Sequence, residues 1–468
     1  MGIVHDLTAR FDTTASVVVI GAGGAGATAA LAARSAGADV LVLDRDAAPS
    51  GATASSSGMV PAAGTAEQKS RGIADSAQRF ADDIQAKANG SAHAPLVKAL
   101  TDASAKVLEW LTKQYGIRFE LVEGVAPGHS LSRMHALADR GGATLLSSLY
   151  SALGTKGVRM ESSAHVTDLV IDDAQRIIGI RYKRGSKVES VGCTTLILAC
   201  NGFAGNGSLV AKYLPDVRAL PFAVHDGSQG DALAWGIALE AQLADIDGFL
   251  AHGAVILSQR LPLPWSLMTE GAVQVNRDGE RFVNEHEGYS ESALFVLAQP
   301  GATAFMIYDE RVHEIGLTMP NYATAVTSGV IKRESLLRDL ADQLGVKREG
   351  LEATIALVNA LAFDDAADEF GREFRATQML LGPYYGVPVT GALLGTEGGL
   401  AIDASGRVLR KNGSPFPNLL AAGGAARGVS GDAAGGYLEG NGLLSAIVGG
   451  YLAGSTAAAT GLGSGVPT

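Results

Sequence analysis

Uninterrupted aliphatic runs at residues 17–20 and 40–43, and the LILA run within TTLILACNGF at 194–203, carry no polar alternation, which is how a strand covered on both faces reads. Residues 158–182 do alternate, and a polar break at 172–175 predicts a hairpin. Leu96, Leu100, Val107 and Leu111 keep a helical period within 91–114, and Pro95 suits the first turn of that helix. A second helix is expected from about Gly142, and amphipathic helices near 333–344 and 352–361. Towards the C-terminus, 401–409 reads as a strand interrupted by a turn. NLLAAGGAA, from Asn418, reads as strand, turn and approach to a helix. The final GLGSGVPT is expected to fray.

The first two runs belong to one unit. Residues 17–20 lead directly into Gly21-Ala-Gly23-Gly-Ala-Gly26, a G-x-G-x-x-G turn, then a helix, then the strand 40–43 with Asp44 at its end. Gly21 permits the tight turn, Gly23 lets a pyrophosphate approach the backbone, and Gly26 lets the helix pack on the strand. The helix N-terminus offers N–H groups and positive dipole to phosphate, and Asp44 stands where an acid reaches a ribose hydroxyl. In a chain with 60 glycines the motif alone is weak, and its weight comes from strand, turn, helix, strand and acid arriving in order. The loop SGATASSSG, 50–58, follows directly and lies over the same crevice.

At 468 residues the chain is long for one core, so a second domain or a large insertion is expected. From about residue 248 polar loops and prolines replace the glycine-rich style, which resumes near 394. This predicts an α/β, Rossmann-like domain built discontinuously from 1–247 and 395–468, with an α+β insertion at 248–394. The formal charge of −11, with unclustered Lys and Arg, excludes a nucleic-acid surface. Cys193 and Cys200 are too few for a disulfide framework or a zinc site and are expected in the core. The N-terminus lacks an apolar signal region and no stretch approaches a membrane span, so a cytoplasmic protein is expected. His129, Arg133 and His135 crowd one short segment, where an anion site and a solvated loop are both open readings.

GAGGAG with Asp44, SGATASSSG, GERFVNE at 279–285, LGTEGGL at 394–400, and NLLAAGGAA followed by GGYLEGNGLLSAIVGG together resemble the succinate dehydrogenase and fumarate reductase flavoproteins. That family also contains the 3-ketosteroid 1-dehydrogenases. The resemblance covers nearly the whole chain and implies FAD, a cap formed by the insertion, and substrate between cap and flavin. It places the cofactor on Gly21, Gly23, Gly24, Ala25, Gly26, Asp44 and Arg45, and on Ser50, Ala52, Thr53, Ser56, Ser57 and Gly58. Val166, Asn201, Gly202, Asp231, Gly423, Gly442, Leu443 and Leu444 complete that set. SGATASSSG lacks the histidine that links flavin in some relatives, which implies non-covalent FAD, and Gly424 replaces an acidic residue common after A-A-G.

The departures narrow the chemistry. Where the fumarate reductases carry a proton-donating arginine after the N-E motif, this chain has Tyr289. Where they carry a carboxylate-clamping arginine, it has Tyr437, and a family histidine is replaced by Gly395. Tyrosine cannot replace the bidentate, permanent charge that a dicarboxylate needs. The 3-ketosteroid dehydrogenases are similar at each place, with tyrosines as base and as ketone-oxygen donor. The resemblance therefore implies a dehydrogenase that desaturates a cyclic ketone, with Tyr289 as base, Tyr437 and a backbone N–H of Gly440 or Gly442 at the carbonyl oxygen, and flavin as hydride acceptor. His252 resembles the retained carboxylate-binding histidine, which suits a keto acid such as 4-oxocyclohexanecarboxylate, with a 3-ketosteroid also open and Arg133 as a spare cation. The alternatives are a reductase of an unsaturated carboxylate and a non-catalytic flavin-binding redox partner. The sequence names no electron acceptor: oxygen, a quinone and a protein all fit.

Overall fold

In the computed structural model, which describes residues 2–48, 50–223 and 225–462, the chain divides into two compact units. The first comprises Met1–Pro215, Val224–Phe249 and Gly395–Thr468, and the second Asp216–Ala223 and Leu250–Leu394. Pro49 and the tail from residue 463, expected to fray, lie outside the described residues.

The first unit is organised on parallel strands. Thr13–Ile20 lies between Val40–Leu43 and Lys187–Leu198, Arg159–Glu161 flanks the former, and Pro415–Ala421 flanks the latter, all parallel. Val17, Val18, Val19, Val42, Leu43, Leu196, Ile197 and Leu198 have no exposed surface, the two-sided burial that their unbroken apolar runs require. Lys187–Leu198 does two jobs. Its first half pairs antiparallel with Ile177–Arg184, and its second half enters the parallel sheet. His165–Ile171 and Ile177–Arg184 form the expected hairpin. Cys193 is buried and Cys200 half-buried, both as thiols.

Small residues let two helices approach closely here. A Cβ on Gly450 would lie 2.4 Å from the Ala25 carbonyl oxygen, and one on Gly454 2.1 Å from that of Ala29. The helix Gly24–Ser35 therefore packs backbone to backbone on Gly449–Leu462. The continuous helical stretch Asn441–Thr460 is long and apolar enough, by length and composition, to cross a membrane, contrary to the expectation that no stretch approaches a span. More than half of it is buried against this unit, as a core helix would be.

The second unit is α+β. Its sheet runs Leu261–Pro262, Phe249–Ile256, Tyr384–Thr396, Ala304–Asp309, Val273–Val275, with Lys332–Glu334 also on Tyr384–Thr396. Ala304, Met306 and Tyr308 face one apolar cluster while Phe305 and Ile307 face another, the period of two that a strand imposes. The helix expected at 333–344 begins only at Leu337, because Lys332–Glu334 is taken as a strand by backbone pairing with Tyr384, Tyr385 and Gly386. Residues 216–223 were expected in the first domain. They join the second unit because Ala223 N–H bonds the Leu393 carbonyl at 3.1 Å and Leu393 N–H bonds Pro221 at 2.9 Å.

Candidate active site

The glycine turn is shaped by contacts that leave one glycine unexplained by the protein itself. Gly21 has φ +100° and lies against the backbone of Ala199, and a Cβ on Gly26 would sit 1.8 Å from the Gly21 carbonyl oxygen. Gly24 N–H donates to the Thr53 hydroxyl at 3.1 Å, so the loop expected over the crevice is fastened to the helix start. A Cβ on Gly23 would meet nothing within 4 Å. That open space, beside the N-terminus carrying Ala25, is the room a pyrophosphate needs. Gly423 lies within reach of the same turn, since its Cβ would be 2.9 Å from that of Ala25.

Asp44 accepts Ala22 N–H at 2.6 Å and Asp46 N–H at 2.8 Å, one on each carboxylate oxygen, which fixes it at the turn with lone pairs to spare for a ribose. Arg45 ion-pairs Asp231 at 2.6 Å. Ser50 and His225 both hydrogen-bond Asp46, the latter at 2.6 Å. Ser56 bonds the Thr53 carbonyl at 2.7 Å and Gly58 N–H at 3.1 Å, while Ala52 and Ser57 are exposed. Asn201, at φ +65°, donates to Ser228 and accepts Gly202 N–H at 2.9 Å. Gly424 packs on its side chain, where an acidic residue would collide. Val166 is buried in the hairpin opposite Tyr182.

The C-terminal turn brings Tyr437 to Gly442. Gly442 N–H donates to Tyr437 Oη at 3.1 Å, whereas Gly440, at φ +87°, gives its carbonyl to Leu444 N–H. The Gly442 N–H is thus directed at the phenol oxygen itself. The helix starts at Asn441, two residues before Leu443, and runs through a π-helical segment at Leu444–Val448, a distortion often found at functional sites. Asn441 Nδ2 donates to Ser430, which donates to Glu397, but Asn441 Oδ1 and Ser445 Oγ are buried with no partner among the described residues. Unmatched polar atoms at this helix start fit a bound polar cofactor.

In the second unit, Tyr289 opens the helix Tyr289–Leu297, stacks on His252 at 4.9 Å between ring centroids, and meets Trp265 edge-on at 6.2 Å. Ala254 N–H donates to His252 Nδ1 at 3.1 Å, so the ring proton sits on Nε2. Burial pushes the His252 imidazole down to about 3, and it is neutral at working pH. The GERFVNE segment is the foundation beneath this pair. Glu285, without exposed surface, pairs Arg281 and Arg372, accepts Gln274 N–H at 2.9 Å, and its carbonyl accepts Trp265 Nε1 at 2.9 Å. Burial pushes its carboxyl up, but Arg372 and Arg281 overcome this and hold it at about 2.

His129, Arg133 and His135 form neither an anion site nor a solvated loop. All three are buried, and Arg133 is saturated by Asp75 at 3.0 Å and by Asp83, so it is no spare cation. Sequence reasoning also missed His225, Glu397 and Ser430, whose partners come from distant segments.

A family model described as FAD binding domain matches residues 16–443. The chain is 28% identical to a probable fumarate reductase of Shewanella frigidimarina (strain NCIMB 400), covering 95% of this chain and 75% of that protein. It is 25% identical to a 4-oxocyclohexanecarboxylate 2-dehydrogenase of Sinomonas cyclohexanicum, covering 96% and 94%. The structure matches an open flavocytochrome c3 fumarate reductase with a TM-score of 0.83 at 27% identity, covering 97% and 79%. It matches a 3-ketosteroid dehydrogenase of Rhodococcus jostii RHA1 with a TM-score of 0.74 at 26% identity, covering 97% and 98%. With its glycine cradle and this match, the chain belongs to the FAD-binding flavoprotein family that includes these reductases and dehydrogenases, and it is an FAD-dependent oxidoreductase.

Proposed function

We propose that this enzyme introduces a carbon–carbon double bond next to the carbonyl of a cyclic ketone, either a keto acid of the 4-oxocyclohexanecarboxylate type or a 3-ketosteroid. The observation that carries the reading is the Tyr437 hydroxyl with Gly442 N–H on its oxygen. Desaturation beside a ketone needs a donor on the carbonyl oxygen, a base for the α-proton and an acceptor for the β-hydrogen. The Tyr437 oxygen accepts an N–H, and a phenol that accepts such a bond is a stronger donor to a ketone oxygen as enolate charge develops. Tyr289, at the first position of its helix, takes the α-proton, and the positive helix end favours the phenolate. Neutral His252 offers Nε2–H to a substrate carboxylate. Asp44, the glycine turn, the 50–58 loop and the 442–444 helix start would hold FAD, which when bound accepts the β-hydrogen as hydride.

The arginines support this reading against a dicarboxylate. Arg133, Arg281, Arg372 and Arg427 each bind a carboxylate of the protein already. The likeness to the Sinomonas and Rhodococcus dehydrogenases supports it as well. The likeness to fumarate reductases favours a second reading, reduction of an unsaturated acid with Tyr289 as proton donor. Incubation of the holoenzyme with 4-oxocyclohexanecarboxylate or a 3-ketosteroid and an artificial electron acceptor, followed by mass spectrometry, tests the choice. A product lacking two hydrogens is expected, and fumarate turnover with no ketone oxidation would overturn it.

A further inference from the structure

We propose that Asp75, Asp83, Arg133 and His129 form a buried positioning relay that fixes the Tyr437 turn through the backbone carbonyl of Glu439. The inference deepens the proposed function, since it rests on Tyr437 as the group that polarises the substrate.

Arg133 donates from Nε and one terminal nitrogen to Asp75, both at 3.0 Å, and from the other to Asp83 and, at 3.1 Å, to His129 Nδ1. A guanidinium has donors only, so His129 Nδ1 must accept and the ring proton must sit on Nε2. That proton points at the Glu439 carbonyl oxygen, 2.9 Å away. Burial pushes the His129 imidazole down to about 4, in keeping with one fixed neutral tautomer. Each member is held in turn. Asp83 also accepts Ser130 N–H at 2.8 Å and the Ser130 hydroxyl at 2.9 Å, which ties down the loop carrying His129. The guanidinium lies 4.8 Å from the Phe80 ring centroid. The turn itself rests on the same loop, because a Cβ on Gly128 would be 2.7 Å from Leu438 Cδ1.

Glu439 lies two residues after Tyr437 and three before Gly442, so its carbonyl is the handle on the segment that presents both. Burying two carboxylates and a guanidinium carries a desolvation cost that an apolar filling would avoid. What the ionic arrangement supplies is direction: a carbonyl held by a defined donor places the phenol within the few tenths of an ångström that a preorganised donor needs.

The test is hydrogen–deuterium exchange of the FAD-loaded enzyme, read on residues 437–444 and on 17–20 as a control, alongside steady-state kinetics on a ketone that the wild type oxidises. His129→Phe is expected to speed exchange of 437–444 by about 10-fold or more, leave 17–20 unchanged, and lower kcat about 10-fold with KM nearly constant. His129→Gln, whose amide offers an N–H donor towards Glu439 and an oxygen acceptor towards Arg133, is expected to recover both. Asp83→Asn, at a side chain with 15% exposure, is expected to give the same local change in smaller measure and serves if His129→Phe does not fold. Unchanged exchange at 437–444 in the folded variants overturns the relay, as does loss of protection spread evenly over the sheet. If the wild type oxidises no ketone, the functional reading falls, and the exchange result still decides the relay.

Discussion

Gly442 N–H donates to Tyr437 Oη at 3.1 Å, so the backbone donor and the phenol stand in series and not side by side. A pair of parallel donors would each touch the ketone oxygen. On the proposed function the phenol meets the ketone oxygen, and the N–H on its own oxygen raises its donor strength.

This arrangement predicts that Tyr437→Phe lowers kcat about 100-fold or more, the loss expected when a donor to a developing oxyanion is removed. FAD content should stay at the wild-type value, because the ring that packs at the turn is kept. Stopped-flow flavin reduction measures it, and a loss below about 5-fold would contradict the role given to Tyr437.

The glycines of the cradle separate folding from cofactor binding. A Cβ at position 26 would collide with the Gly21 carbonyl, whereas one at position 23 meets no protein atom. Gly26→Ala is therefore expected to destabilise the unit or prevent folding. Gly23→Ala is expected to fold with the thermal midpoint of the wild-type apoprotein and to lose FAD affinity by about 10-fold or more. Flavin absorbance per protein after dialysis, with a melting curve of the apoprotein, distinguishes the two.

Glu397 sets a pH dependence. It is 8% exposed, and burial pushes its carboxyl to about 7 although the Ser430 hydroxyl pulls the other way. The folded value lies above the unfolded one, so the folded state holds the proton between about 4.5 and 7. The stabilisation is full below that window and is lost as pH rises through it. Glu397→Gln should therefore gain stability relative to the wild type between pH 5 and pH 8. Urea unfolding at both pH values measures the change, and an equal difference at the two would remove Glu397 as its source.

The parts legible in the sequence are those dictated by neighbours along the chain. Residues 16–44 declare strand, turn, helix and strand because burial on both faces and the glycine contacts are local demands. Arg133 could not be read this way: beside two histidines it looks like an anion site, and the carboxylates that neutralise it are 58 and 50 residues upstream. Lys332–Glu334 likewise becomes a strand only through pairing with Tyr384–Thr396, which no local pattern announces. That the Gly442 N–H meets the Tyr437 hydroxyl rests on one hydrogen bond across a turn, which the sequence does not announce. Tyr289 and Tyr437 stood out only through the resemblance of the motifs around them, and their surroundings, a neutral stacked imidazole and an N–H donor, came only with the fold.

On the proposed function this flavoenzyme takes hydrogen from a ring carbon beside a ketone. Anaerobic mixing of the oxidised holoenzyme with 4-oxocyclohexanecarboxylate, and separately with a 3-ketosteroid, tests it most directly by following flavin absorbance in the visible. Bleaching by at least one of the two, strongly slowed in Tyr437→Phe, is the predicted result. Flavin that stays oxidised with both ketones, yet after chemical reduction is rapidly reoxidised by fumarate, would contradict it.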